Sequence, residues 1–235
     1  MKNPKEFYIA LTLMVLAVLT VVLPLTVFHN VFLTFVLYYG FACLLVPILD
    51  LTLAKKLSLR ASLQFLGFTR LNARPAILFG LGHGIFIYLI TIGAFFVFPN
   101  QMLADNNIIG AIRSWGVSSR EILPLTLIML LCNGLMEEIF WRGYIFEKLK
   151  SAGRIVLHPR TIIFLTAVFY TSYHLATILT FFPLSPVSML LIFSVLIAGL
   201  GWGWLKNYYQ NLWAPAIGHI LATAGYMTVF SWLVK

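Results

Sequence analysis

The stretch Asn133-Gly134-Leu135-Met136-Glu137-Glu138-Ile139-Phe140-Trp141-Arg142-Gly143-Tyr144-Ile145-Phe146 sets two adjacent carboxylates and a guanidinium into an otherwise apolar run. Ionisable groups at membrane depth are expensive, turn toward a protein interior or a wet cavity, and point first to function. The rest of the chain shares this apolar character. Of its 235 residues, 61% are hydrophobic and 10% charged, and the mean hydropathy is +0.95. Soluble domains carry roughly 25% charged residues. The fold expected is therefore all-α, a polytopic transmembrane helical bundle of about seven spans in contact with the lipid bilayer.

Working outward from the motif, its own span covers about 122–146. Upstream lie spans at about 7–28 and 31–54, joined by a tight turn at His29 and Asn30. The first run is too long for a cleaved signal and offers no small-x-small site, which predicts a retained span. A cluster of Lys55, Lys56, Arg60, Arg70 and Arg74 follows, with a short interfacial helix within 57–68. The next span, about 76–98, contains Gly80, Gly82, His83 and Gly84, small residues that permit close helix approach. A polar connection at 99–121 leads into the motif span. Downstream come a basic loop at 147–159, spans at about 160–181 and 187–205, a polar turn at 206–211 and a last span at about 212–233. This predicts one integral-membrane domain over 1–235, with a motif-bearing core at about 122–233 and N-terminal spans at about 7–98.

A net charge of +9 raises the question of nucleic acid. The charges lie in short segments beside apolar spans, with no basic helix interleaved with aromatics, so topology accounts for them and nucleic acid is excluded as a partner. One side collects Lys2, Lys5, Lys55, Lys56, Arg60, Arg70, Arg74, Lys148, Lys150, Arg154, Arg160 and Lys206. The other side collects Arg113, Arg120 and Lys235. This bias predicts an N-in, C-out multi-pass protein of a bacterial or archaeal cytoplasmic membrane. Cys43 and Cys132 lie in apolar runs and read as small buried hydrophobes.

Glu138 and Arg142 stand four apart with the acid first, the favourable order for an ion pair. Glu137 has no local cation, and Asn133, one turn earlier, can hydrogen-bond but not neutralise it. Such a carboxylate suits a general base. Two later spans carry His174, one turn after Tyr170, and His219, one turn before Thr223. Counted from Lys148, Arg160 and Lys206 at about 1.5 Å per residue, Glu137, His174 and His219 fall roughly 16, 21 and 20 Å deep. Three helices thus place a Glu and two His in one layer, and a base, a polar partner and a donor at one depth permit hydrolysis. His83, between glycines, reads as a packing group, and His29 and His158 as solvated loop residues.

Glu137-Glu138-Ile-Phe-Trp-Arg142-Gly143 resembles the EExxxR motif of the CAAX protease and bacteriocin-processing (CPBP, or Abi) family of intramembrane endopeptidases. In that family EExxxR is followed by FxxxH and then by HxxxN or HxxxD. Here Tyr170 to His174 and His219 to Thr223 stand in those places, with Tyr for Phe and Thr for Asn or Asp. The likeness spans about 123–223. It implies that Glu137 and His174 activate the attacking water, that His219 and Thr223 stabilise the oxyanion, and that Glu138 with Arg142, Asn133 and Tyr170 supports the site. It further implies a protein or peptide substrate, membrane-associated or of leader type, and no particular oligomeric state. Glu137, His174 and His219 are donor types that zinc accepts, but HExxH is absent, so no cofactor is assigned. The alternative reading is a catalytically weak or inactive member acting as a membrane scaffold, immunity or regulatory protein. Transport is disfavoured, because no internal repeat or interrupted-helix pair is visible.

Overall fold

A backbone in hydrocarbon must satisfy its own N–H and C=O groups, which leaves helices as the natural outcome for long apolar runs. The computed structural model describes residues 5–97, 120, 122–151, 157–182 and 184–233. The expectations for the 99–121 connection other than Arg120, and for Lys2, Arg154 and Lys235, fall outside these residues. The helices are α1 (Lys5–Thr26), α2 (Val31–Ala54), the short α3 (Leu59–Leu66), α4 (Ala73–Val97), α5 (Ile122–Lys150), α6 (Pro159–Phe181), α7 (Pro186–Tyr209) and α8 (Trp213–Leu233). All but α3 are long and apolar enough to cross a membrane, which makes seven such helices, and no strand occurs among the described residues.

The helix ends follow local chemistry. His29 takes a left-handed turn (φ 48°) and the Asn30 carboxamide accepts from Leu33 N at 2.9 Å, capping α2. Ser58 caps α3, and Gly67, at φ 95°, ends it in the left-handed region that glycine tolerates. Pro159 and Pro186 open α6 and α7, the latter within a Ser185–Ser188 capping box.

Two spans depart from regular winding. α2 over Phe35–Leu45 and Asp50–Ala54, and α5 over Leu130–Met136 and Ile139–Ile145, carry the wider π-type turn. Glu137 N accordingly donates to Cys132 O, five residues back. The sequence reading took α5 as an ordinary α-helix. Wide turns of this kind often mark functional sites, and here they flank the paired glutamates.

The expected loop at 147–159 starts later, because α5 continues to Lys150. Lys148 is fully buried, its Nζ 2.6 Å from Glu6 Oε2 and 3.0 Å from Asp50 Oδ2. α7 likewise runs through Lys206, which is buried with Nζ 3.0 Å from Glu147 Oε1. An acid on a neighbouring helix gives each ammonium a partner, so the helix continues with its charge inside.

The second half of α5 is the axis of the bundle. Phe140, Trp141, Tyr144, Ile145 and Phe146 are buried there, while the first eight residues of α5 bury none. Trp141 stacks on Tyr173 of α6 and donates Nε1–H to the Tyr38 hydroxyl at 2.9 Å. α4 packs on α8 through Gly80 and Gly84: a Cβ on Gly80 would lie 2.7 Å from Ala214 O, and one on Gly84 2.7 Å from Leu221 Cβ. Gly82, expected to share in this approach, meets nothing within 4 Å and faces outward. Phe32, Phe86 and Leu123 are exposed on outer faces, where lipid replaces water as the neighbour.

Candidate active site

α5 and α8 carry most of the site, and one glycine sets their spacing. A Cβ on Gly134 would lie 2.7 Å from Ile220 Cα, so the two backbones touch where Asn133 and His219 face each other. Arg142 Nη1 donates to Glu138 Oε1 at 2.8 Å, and both side chains are fully buried. Arg142 Nη2 donates to Gly199 O of α7 at 3.1 Å, and the guanidinium lies over the Tyr170 ring at 4.6 Å. The brace expected between Glu138 and Arg142 is therefore present and tied to α6 and α7 as well.

Glu138 does more than brace. The same Oε1 accepts from His219 Nδ1 at 2.9 Å. With its proton on Nδ1, a neutral His219 ring accepts at Nε2, which has Asn133 Nδ2 at 3.2 Å and the Tyr170 hydroxyl at 3.4 Å. Trp202 of α7 stacks on the imidazole at 4.0 Å between centroids, fixing its plane. A buried carboxylate, an amide, a phenol and an indole thus hold His219 in one orientation.

Glu137 is the exception among these groups. Oε1 accepts from the Tyr39 hydroxyl at 3.3 Å, but Oε2 is buried with no hydrogen-bond partner and lies 4.0 Å from His219 Nε2. Asn133 does not bond to Glu137 directly, as the spacing of four had suggested; the wider turn between them carries its amide toward α8 instead. There Nδ2 also donates to Thr223 Oγ1 at 3.2 Å.

His174 stands at the margin. Its Nδ1 donates to Tyr170 O at 2.9 Å and its ring packs on Tyr170 and Tyr173, but it makes no hydrogen bond or ion pair to Glu137. It joins the other residues through Tyr170. His83, read as a packing group, stacks on Phe79, and its half-buried ring leaves Nδ1 without a partner. His29 is exposed, and so is His158, whose Nδ1 accepts from Arg160 N and caps α6.

Zinc finds no ready seat in this arrangement. Both nitrogens of His219 already face partners, and no three His, Cys, Asp or Glu side chains among the described residues form a ligand group.

The type II CAAX prenyl endopeptidase Rce1-like family matches residues 119–225, nearly half of the chain. Residues 119–225 are thus similar to a CAAX-protease family. No curated protein and no solved structure gave a match. This is a protease family, and its matched region carries every sequence-predicted site residue. Within this matched region, the departure at Tyr170 adds a hydroxyl that reaches His219, a contact phenylalanine cannot make.

Tyr39 lies outside the matched region, on α2, and is not among the residues the sequence singles out. Its hydroxyl sits 3.0 Å from Asn133 Oδ1 and 3.3 Å from Glu137 Oε1. Tyr38-Tyr39 looked like two more aromatics in an apolar span. The available signal was depth, since a phenol well inside a span needs a polar partner.

Proposed function

We propose that this protein is an integral-membrane endopeptidase that hydrolyses a peptide bond of a membrane-associated or leader-type substrate through a water activated by Glu137. One observation carries this reading: Glu137 Oε2 is a buried carboxylate oxygen without a partner, facing the ordered imidazole of His219. Glu137 takes a proton from water while the water oxygen bonds to the scissile carbonyl carbon. The carbonyl electron pair moves onto oxygen. When the tetrahedral intermediate collapses, the C=O re-forms, the C–N bond breaks, and the proton held by Glu137 passes to the leaving nitrogen.

The supporting groups suit these steps. Glu138 orients His219, and Asn133 engages the Thr223 oxygen, so the Thr223 hydroxyl proton can be given elsewhere. Thr223 would donate to the oxyanion, joined by His219 through Nε2–H when the ring carries a second proton. His174, with Nδ1–H on the Tyr170 carbonyl, keeps Nε2 to hold the water. The test is cleavage of a membrane-tethered peptide by wild type, Glu137→Gln and Glu137→Ala. A loss of at least about a hundredfold is expected for both, as for removal of a general base; undiminished turnover overturns the mechanism. The N-in, C-out orientation predicts that a periplasm-dependent alkaline phosphatase fused at the C-terminus is active, and an inactive fusion rejects it.

Thr223, in the position where the family motif has Asn or Asp, favours a second reading. In it the protein is a catalytically weak member serving as a membrane scaffold, immunity or regulatory protein. Cleavage that appears only in Thr223→Asn supports this reading, and wild-type turnover removes it.

A further inference from the structure

We infer that Tyr39, on α2 and outside the matched family region, is a positioning residue for Glu137 that holds the carboxyl through both of its protonation states. The inference rests on the reading of Glu137 as the base. The Tyr39 side chain is almost fully buried, so its hydroxyl must find partners within the protein. It has two, Asn133 Oδ1 at 3.0 Å and Glu137 Oε1 at 3.3 Å, and a phenol carries a single proton to share between them. The Asn133 carboxamide cannot compete for Glu137, because its Nδ2 is turned to Thr223 and His219.

This geometry answers a difficulty in using a buried carboxylate as a base. The ionised form needs a strong donor, whereas the protonated form needs a weaker one at its carbonyl oxygen and keeps its proton free for transfer. While Glu137 is ionised, Tyr39 donates its O–H to Oε1. Once Glu137 has taken the water's proton on Oε2, Oε1 becomes the weaker, carbonyl-type acceptor, and the Tyr39 O–H can stay on it or turn to Asn133 Oδ1. No proton leaves Tyr39, and heavy atoms need move only a few tenths of an ångström, since the contact to Asn133 is 3.0 Å and that to Glu137 3.3 Å. Oε2 is left throughout to face the water.

Of the other described ionisable groups near Glu137, none makes a hydrogen bond to it. On its own helix, Glu138 repels it and Arg142 is engaged with Glu138 and Gly199. On α8, His219 gives its Nδ1 proton to Glu138. On α2 itself, the Tyr38 hydroxyl is taken by Trp141. On α6, the buried Tyr173 hydroxyl also lies close to Glu137 but makes no hydrogen bond, and the Tyr170 hydroxyl faces His219. The N-terminal half of the chain therefore supplies the group that completes the base.

Tyr39→Phe keeps the ring and removes the hydroxyl. The expected result is a fall in kcat of roughly tenfold to a hundredfold, the worth of one hydrogen bond to a charged group, with KM unchanged. Tyr38→Phe is the control: it breaks an equally buried hydroxyl contact on the same helix, lowers the melting temperature and leaves kcat near wild type. A second readout does not depend on turnover. The infrared band of the Glu137 carboxyl, isolated by difference from Glu137→Gln, should shift in Tyr39→Phe and not in Tyr38→Phe. An unshifted band, or a kcat loss equal in the two Tyr variants, overturns the role of Tyr39. A shifted band in a protein whose Glu137→Ala retains activity keeps the contact and fails the base reading instead.

Discussion

Two buried charge clusters share this bundle, and they are built to different rules. At the basic end, Lys148 lies between Glu6 and Asp50, and Lys206 pairs with Glu147, which Lys150 also approaches at 3.8 Å. Three acids meet three ammoniums, so the formal charges cancel, and Glu6 and Asp50 keep about a quarter of their side-chain surface exposed. Deeper in the bundle, Glu137 and Glu138 share the single guanidinium of Arg142, and all three are fully buried. There Glu137 Oε2, Glu138 Oε2 and Arg142 Nε lack hydrogen-bond partners. Every described acidic residue belongs to one of these clusters. The contrast teaches that a cluster serving only the fold ends neutral and paired, whereas the deeper one keeps an excess carboxylate whose free oxygen faces an oriented imidazole.

The largest way to test that contrast is Arg142→Met. It leaves Glu138 beside Glu137 with no cation in a dry interior, and breaking a buried pair in this manner costs about 3–5 kcal/mol. Loss of folded protein in detergent, read by size-exclusion chromatography and thermal unfolding, is expected; a wild-type melting curve would refute the assignment of the brace. Gly134→Ala should come next. Its Cβ would meet backbone at Ile220, so α5 and α8 must part, at about 1–3 kcal/mol. Turnover should fall with stability, because the same contact brings Asn133 to His219.

Lys148→Met should be milder, about 1–2 kcal/mol, because the acids it abandons are partly hydrated. Per molecule of folded protein, proteolysis should stay near the wild-type rate. A large loss of kcat without loss of stability would erase the division between the clusters. The smallest effect on stability is expected from Glu137→Gln, which removes the excess charge while keeping the shape. Its melting temperature should equal or exceed that of the wild type while its turnover is lost. A marked destabilisation would mean that Glu137 serves the fold.

Legibility differed sharply between the parts of the site. Glu138 and Arg142 could be paired from their spacing alone, since residues four apart on one helix are neighbours under almost any winding. His219 and Thr223 could be placed at the depth of Glu137 by counting from basic ends, and the geometry brings both to the same few ångströms. Asn133 was assigned to Glu137 by that spacing, yet the wide turn of α5 sends its amide to α8. Depth marks Tyr38 and Tyr39 alike as phenols in need of polar partners, but nothing local separates the two, because the partners of Tyr39 lie 94 and 98 residues away.

By itself, then, the sequence determined the class of fold, the number and approximate places of seven apolar helices and which polar residues lie within them. These follow from composition, from hydrophobic length and from rise per residue, all of which act along the chain. Only the tertiary structure decided which oxygen of Glu137 is held and which is left free, that Glu138 orients His219, that Lys148 and Lys206 are interior charges, and that α2 reaches the site. Those outcomes depend on how helices pack and wind against one another, so a difference of one residue per turn, or one glycine at a crossing, changes which side chains meet.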